Sequence, residues 1–293
     1  MNPADPHHTD KSLVRAAFSR AAAGYDRAAV LQKEVAARLV ERLDFIKLSP
    51  ERIYDLGSGT GRVAAALGER YPEAEVVALD FALPMLELAR ERCRGVATVC
   101  GDVEALPLAD HSAELILSNL TLQWCGDLEG TFREFLRVLR PGGLLMFTTF
   151  GPDTLGELRA AWAAVDGRSH VNAFTDMHDV GDALLRAGWA EPVMDQQRFT
   201  LTYEDVRGVM RDLKEMGAHN VTAGRNHGLT GKTRLRAMGD AYERFRTEGR
   251  LPATYEVVYG HAWAPSGARH RQGAEGEPAA YPFDQLRRAI RGA

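Results

Sequence analysis

The stretch "IYDLGSGTGRVAAAL", Ile53 to Leu67, decides the fold. A short apolar run with strand character ends beside Asp55, Gly57, Gly59 and Gly61 follow at alternate positions, and helical periodicity then runs over Gly61–Arg70. Glycine at a strand-to-helix turn lets the backbone take positive φ and lets a ligand press against the main chain. In open α/β sheets such turns lie at the carboxyl ends of the strands, where ligands bind.

Outward from this stretch, apolar runs alternate with helical patterns. Strands are expected at Arg52–Leu56, Glu75–Asp80, Val96–Cys100, Ala113–Ser118 and Leu144–Phe150, and helices at Pro84–Arg92 and Leu128–Leu139. "LRPGG" at 139–143 reads as a helix stop followed by a turn. Five such units imply a doubly wound parallel sheet covered on both faces. An N-terminal helical stretch, roughly 11–44, precedes them. After them come a helix at Met177–Ala187 ending at Gly188, extended chain over 189–202, helical pattern over 203–250 broken by a Gly- and Asn-rich loop at 217–232, and a β-branched, aromatic strand at 254–264.

The expected organisation is therefore an α/β, mostly parallel seven-stranded sheet. Residues 1–45 form an N-terminal helical lid, 46–202 the core, 203–250 an inserted helical cap and 251–264 the last core strand. The polar, Gly-rich tail 265–293 is expected to be disordered. At 293 residues with 45% apolar content the chain can bury an ordinary core, and no run reaches the roughly 18 apolar residues of a membrane span. Its net charge of −4 does not suggest a protein coated with nucleic acid, and the N-terminus has no apolar signal segment, so the cytoplasm is the expected location. Cys93, Cys100 and Cys125 show neither a disulfide framework nor a zinc pair, and no metal is expected.

Which ligand needs this turn follows from its spacing and charge. A dinucleotide fingerprint is G-x-G-x-x-G with a pyrophosphate at the helix N-terminus. Here the third glycine comes one residue early, and Asp55 would repel a pyrophosphate but favour a cationic amine or sulfonium. Asp80 ends the second strand, where a carboxylate can accept both hydroxyls of a ribose. The fourth strand ends "LILSNLTLQWC"; Asn119 either lines the ligand or caps the strand, and Trp124 either walls the pocket or packs the next helix.

"DLGSGTG" resembles the first motif of class I S-adenosyl-L-methionine-dependent methyltransferases, which implies a Rossmann-like fold and that cofactor. The resemblance implies donor contacts from Asp55, Gly57, Ser58, Gly59, Gly61 and Asp80, an acid near the adenine amine at Asp102 with the backbone amide of Val103 beside it, and Asn119 at the methionine end. The N-P-P-Y-like motif found in methyltransferases of exocyclic amines is absent after the fourth strand. An amine, phenol or carbon acid would need a base near pH 7, whereas a carboxylate with a pKa of about 4 would not. None of the nine histidines falls in the strand-end motifs, which favours an acceptor that needs no base.

A narrower resemblance rests on "AAFSRAAAGYDRAAVLQKEVAARL", "SNLTLQWC", and "FTTFGPDTLGELRAAW" followed by "HVNAFTDMHDVGDALLRAG". Together these are similar to the malonyl-acyl carrier protein O-methyltransferases of biotin synthesis, over about residues 16–260. The likeness implies methylation of the free carboxylate of a malonyl thioester on acyl carrier protein, with malonyl-coenzyme A an open alternative; a monomer is expected, with no nucleic-acid partner and no membrane partner. It implies a lid carrying Tyr25 at the methyl or malonyl site, with Gln32 a weaker lid candidate. Arg159 is favoured for the acceptor carboxylate, with Arg198 and Arg211 as rivals.

Charge is unevenly spread. Residues 51–150 carry nine Lys/Arg against fifteen Asp/Glu, while 205–250 carry ten against six. A basic cap on an acidic body suits an acidic carrier protein, with Arg225, Lys232, Arg234 and Arg236 as docking candidates. Three other readings share parts of this pattern: an assembly factor related to the complex I arginine hydroxylase, a cofactor-binding protein without chemistry, and a small-molecule O-methyltransferase.

Overall fold

A computed structural model describes residues 10–218 and 231–266. The chain enters through α1 (Lys11–Ala28), whose first turn is capped by Asp10: its carboxylate accepts from the amides of Ser12 and Leu13. Ala29, at φ −78° and ψ 47°, breaks the helix, and α2 (Val30–Glu41) follows at once.

The sheet is built as the alternation predicts. β1 (Arg52–Leu56), α3 (Arg62–Arg70), β2 (Glu75–Asp80), α4 (Leu83–Arg92), β3 (Ala97–Cys100), β4 (Ala113–Asn119), α5 (Leu128–Val138) and β5 (Leu139–Phe150) follow in order. Then come α6 (Gly156–Ala163), α7 (Met177–Ala187), β6 (Ala190–Tyr203), α8 (Val206–Glu215), α9 (Lys232–Tyr242) and β7 (Leu251–Trp263). The spatial order is β3-β2-β1-β4-β5-β7-β6. The first five strands are parallel, and β7 runs antiparallel between β5 and β6. The chain winds one way from β1 through β3 and the other way from β4, so the switch between β1 and β4 opens a crevice at their carboxyl ends.

Strand alternation divides the core between the two faces. Leu115, Leu117, Leu144 and Met146 face the layer containing Leu31, Val35, Leu39 and Leu67. Ile116, Leu145 and Phe147 face Phe132, Phe135, Val180 and Leu184 on α5 and α7. Both faces are covered, which is the condition under which parallel strands are stable.

One segment departs from expectation. "LRPGG" does stop the preceding helix, at Val138, but it does not leave the sheet: Leu139 pairs with Ala113, and a register shift between Ala113 and Leu115 absorbs the remaining residues. Gly142, at φ 79°, supplies the bend, so a turn signal is realised as a bulge within β5.

α8 and α9 fall within the 203–250 stretch expected as a cap. At Gly217, just beyond α8, an added Cβ would stand 3.2 Å from the backbone of Ala17, so this end of α8 lies directly on α1. Most of the 217–232 loop, including Arg225, and nearly all of the polar tail fall outside the described residues. No helix among the described residues is long and apolar enough to cross a membrane.

Candidate functional site

Two lobes that share Tyr25, Gly57, Gly59 and Asn119 form one crevice over the glycine turn. One lobe adds Asp80, Asp102 and Val103; the other adds Asp55, Ser58, Thr60 and Gln32. The turn is left-handed at Gly57 and Gly59, with φ of 76° and 52°. The two glycines are required for different reasons. A Cβ on Gly57 would lie 2.1 Å from Thr121 Oγ1, whereas one on Gly59 would meet nothing within 4 Å and would stand in open space.

The acids are held by main chain. Asp80 Oδ2 accepts from the Gly59 amide at 2.9 Å and Oδ1 from the Ala82 amide at 2.8 Å, which fixes the carboxylate while each oxygen keeps a further lone pair. Burial pushes its pKa up, with the backbone amides opposing. Asp55 is 1% exposed; its Oδ2 accepts from the Ala64 amide at 2.9 Å and its Oδ1 has no partner among the described residues. Burial pushes its pKa up to about 7, the Ala64 amide opposing and the Asp80 charge adding. A half-satisfied buried carboxylate is a site for a cation. Ser58 Oγ and Gln32 Oε1 are also buried without partners among the described residues.

At the other end Asp102 Oδ1 accepts from the Glu104 amide at 2.9 Å, and Oδ2 meets Lys11 Nζ at 2.5 Å. Lys11 pairs with Glu104 as well, so the first turn of α1 is strapped to this acid pair. Seven residues apart, Lys11, Phe18 and Tyr25 present one face of α1 to the crevice. Phe18 packs edge-on to both Tyr25 and Trp124, with ring centroids 6.3 and 5.4 Å away, and Trp124 lines the crevice. Burial, with the charges of Asp80 and Asp26, pushes the Tyr25 hydroxyl well above its ordinary pKa. It stays a neutral phenol and a hydrogen-bond donor.

Asp26 latches the other end of α1. It accepts from Thr60 Oγ1 at 2.9 Å and pairs with Arg92, which also donates to Thr60. Asn119 lines both lobes while its side chain ties neighbouring elements: Oδ1 accepts from Thr148 Oγ1 at 2.8 Å and Nδ2 donates to the Gln32 carbonyl at 3.3 Å. Gln32 in turn donates from Nε2 to Met216 Sδ. No histidine lines either lobe among the described residues.

The structure thus brings together Tyr25, Gln32, Asp55, Gly57, Ser58, Gly59, Asp80, Asp102, Val103 and Asn119. Gly61 stands behind the crevice, where a Cβ would lie 2.8 Å from Ala89 Cβ, so it permits α3 to approach α4. Arg159 is not brought in: its guanidinium donates to the carbonyls of Pro152 and Thr154, closing its own turn, and it lines neither lobe. Arg198 pairs with Asp153 at the surface. Arg211 lines a separate cavity of about 880 Å³ between α1, α6 and α8. On α9, Arg234 lies 3.8 Å from Asp166, and Lys232 and Arg236 are exposed. Sequence reasoning missed Lys11, Phe18, Asp26 and Thr121; the seven-residue spacing of 11, 18 and 25 was the signal available for the first two.

A methyltransferase domain family model matches residues 54–147. The chain is 56% identical to the malonyl-[acyl-carrier protein] O-methyltransferase of Gallionella capsiferriformans, covering 90% of this chain and 94% of that protein. It is 55% identical to the protein of the same name from Laribacter hongkongensis, covering 90% and 93%. Among solved structures, the YcgJ protein of Bacillus subtilis shares the fold, with a TM-score of 0.55 at 15% identity over 80% of this chain and 99% of that one.

Proposed function

The chain belongs to the malonyl-[acyl-carrier protein] O-methyltransferase family, and from that premise we propose that it methylates the free carboxylate of a malonyl thioester on acyl carrier protein, with S-adenosyl-L-methionine as donor. The observation that carries this reading is the crevice itself: Asp55, Asp80 and Asp102 around a bare glycine turn, roofed by Tyr25, with no histidine lining it among the described residues. The product is a neutral ester that resembles an ordinary acyl end, which suits the place in pimelate and biotin synthesis that the sequence resemblance implies.

The donor fits the residues. Asp80 has lone pairs left for two ribose hydroxyls, Asp102 and Val103 flank the adenine end, and Gly59 leaves the main chain bare beneath. Asp55 and Ser58, each with an unpartnered buried oxygen, suit the charged methionine end. When bound, the donor supplies a methyl group on a sulfonium, the leaving group being a neutral thioether.

This chain's own residues bind, orient and exclude water. The acceptor carboxylate, with a pKa of about 4, arrives ionised, so no proton need be moved. Holding the attacking oxygen in line is worth roughly 7–11 kcal/mol of the barrier. Tyr25, a donor that cannot ionise, orients the acceptor at the methyl, while Phe18 and Trp124 present aromatic faces suited to a neighbouring cation. Residues 11–45 act as the lid, latched by Lys11 and Asp26 at the two ends of α1, and α8 with α9 form the cap.

Incubation with S-adenosyl-L-methionine and malonyl-carrier protein should add one methylene to the intact mass of the carrier. Methylation of a small carboxylic acid or phenol in place of the carrier-bound acid would overturn the reading.

A further inference from the structure

The crevice occupies one face of α1, and the adjoining face borders the second cavity. Ala17, Ala21 and Gly24 give this wall little bulk, and Gly24, which lines this cavity, directly precedes Tyr25, which lines the crevice. The floor is apolar: Leu155, Leu158, Trp162 and Leu213 are buried there. The rim is cationic. Arg20 and Arg27 of α1 face Arg211 and Lys214 of α8, all four exposed, with Glu215 the one acid among the lining residues.

On the side wall His170 stacks flat on Trp162, with ring centroids 3.8 Å apart, and its Nε2 bonds Asp166 at 2.8 Å. Arg234 of the cap reaches the same Asp166, so this wall is tied to α9.

An apolar floor under a cationic rim matches a long ligand with apolar stretches between its polar groups and an anion at the end that leaves the cavity. A carboxylate alone would need one cation and a fraction of about 880 Å³. A lipid tail would leave the rim without a partner. Resting on the reading given under Proposed function, we infer that this second cavity receives the phosphopantetheine arm of the acyl thioester. The floor takes the chain, and Arg20, Arg27, Arg211 and Lys214 take the phosphodiester where the arm leaves its carrier. The thioester end then turns past Gly24 toward Tyr25. Arginine forks and a lysine point charge are the usual partners of a phosphodiester oxygen, and a site of this size lies in the range of small-molecule pockets.

The test compares three acceptors: malonyl-carrier protein, malonyl-coenzyme A and malonyl-pantetheine, which lacks the phosphate. In the variant Arg20→Gln/Lys214→Gln, one change on each wall, KM should rise about tenfold or more for the two phosphate-bearing acceptors, as expected for two lost charged contacts. KM for malonyl-pantetheine should stay within about twofold, and donor affinity by calorimetry should be unchanged. An equal rise for malonyl-pantetheine would assign the cations to the carboxylate, a rise for the carrier-bound acceptor alone would assign them to the carrier's surface, and no rise would leave them idle; each overturns the inference. Where the double variant loses donor binding, Lys214→Gln alone carries the same comparison. A wild-type protein that methylates none of the three would instead remove the proposed function itself.

Discussion

The two cavities on either side of α1 are made of different materials. The crevice is built from main chain: left-handed turns at Gly57 and Gly59, and buried acids fixed by backbone amides. The second cavity is built largely from side chains on α1, α6 and α8 and the 170–174 segment, with long exposed cations at its rim. A main-chain site has few equivalent arrangements, so single residues decide it. A rim of several exposed cations shares its work, so each residue is partly replaceable. Sensitivity to substitution should therefore be steep on one side of the helix and shallow on the other.

The largest contrast lies within the turn. Gly57→Ala combines left-handed strain with a collision against Thr121, and should cost about 2–5 kcal/mol of stability. Gly59→Ala carries the strain alone, about 1–2 kcal/mol, yet should abolish donor binding because its methyl stands in the crevice. Denaturant unfolding and donor calorimetry on both variants separate the two effects; equal destabilisation would erase the distinction between a packing glycine and a ligand glycine. Next in size, Asp80→Ala should weaken donor binding by about 1–3 kcal/mol, and unchanged affinity would remove the ribose contact.

The same division explains what could be read from sequence. The sheet, its switch point and the glycines and acids that line the crevice were legible because each depends on a local rule: apolar alternation, glycine where φ is positive, and an acid at a strand end. Tyr25 and Trp124 were visible as candidates, though their shared partner Phe18 emerges only when α1 lies across the crevice. Arg159 shows the opposite case. Its position after the fifth strand suggested a role, but the carbonyls of Pro152 and Thr154, exposed by the turn, take its guanidinium. Arg20, Arg27 and Lys214 carried no signal, since exposed cations on helices look alike until the helices are packed. "LRPGG" was misjudged because a helix stop does not say whether the following residues leave the sheet or bulge within it.

The pH dependence tests the crevice through Asp55. With its folded pKa raised to about 7, the donor-free protein holds a proton there at lower pH. A cationic donor favours the ionised form, so binding should release a proton near neutrality. Affinity should then fall as pH drops below about 7, by up to tenfold per unit, and level off above it. Calorimetry in two buffers of different ionisation enthalpy measures the released proton, and Asp55→Asn should flatten the profile. The raised pKa also means that stability of the donor-free protein declines as pH rises from the unfolded value near 4 toward 7. Asp55→Asn should remove that slope too. Smaller again, Tyr25→Phe keeps the ring and loses one donor, so kcat should drop about fivefold to tenfold with donor affinity held; a loss confined to affinity would move Tyr25 from the acceptor to the donor.

The smallest effect belongs to the outermost charges. Lys232 and Arg236 lie exposed on α9 and line neither the crevice nor the second cavity, so their proposed partner is the surface of a carrier. Exposed charges of this kind act over a Debye length of about 8 Å at physiological salt and are worth about 1 kcal/mol or less. Lys232→Glu/Arg236→Glu should raise KM for the carrier-bound acceptor about threefold at low salt and lose that effect near 1 M salt, while KM for malonyl-coenzyme A stays level. Rim cations in direct contact with a phosphodiester are screened less, so the Arg20/Lys214 effect should persist in part at the same salt. If both sets lose their effect together, the rim is only more surface, and the difference in material across α1 would reduce to a difference in exposure.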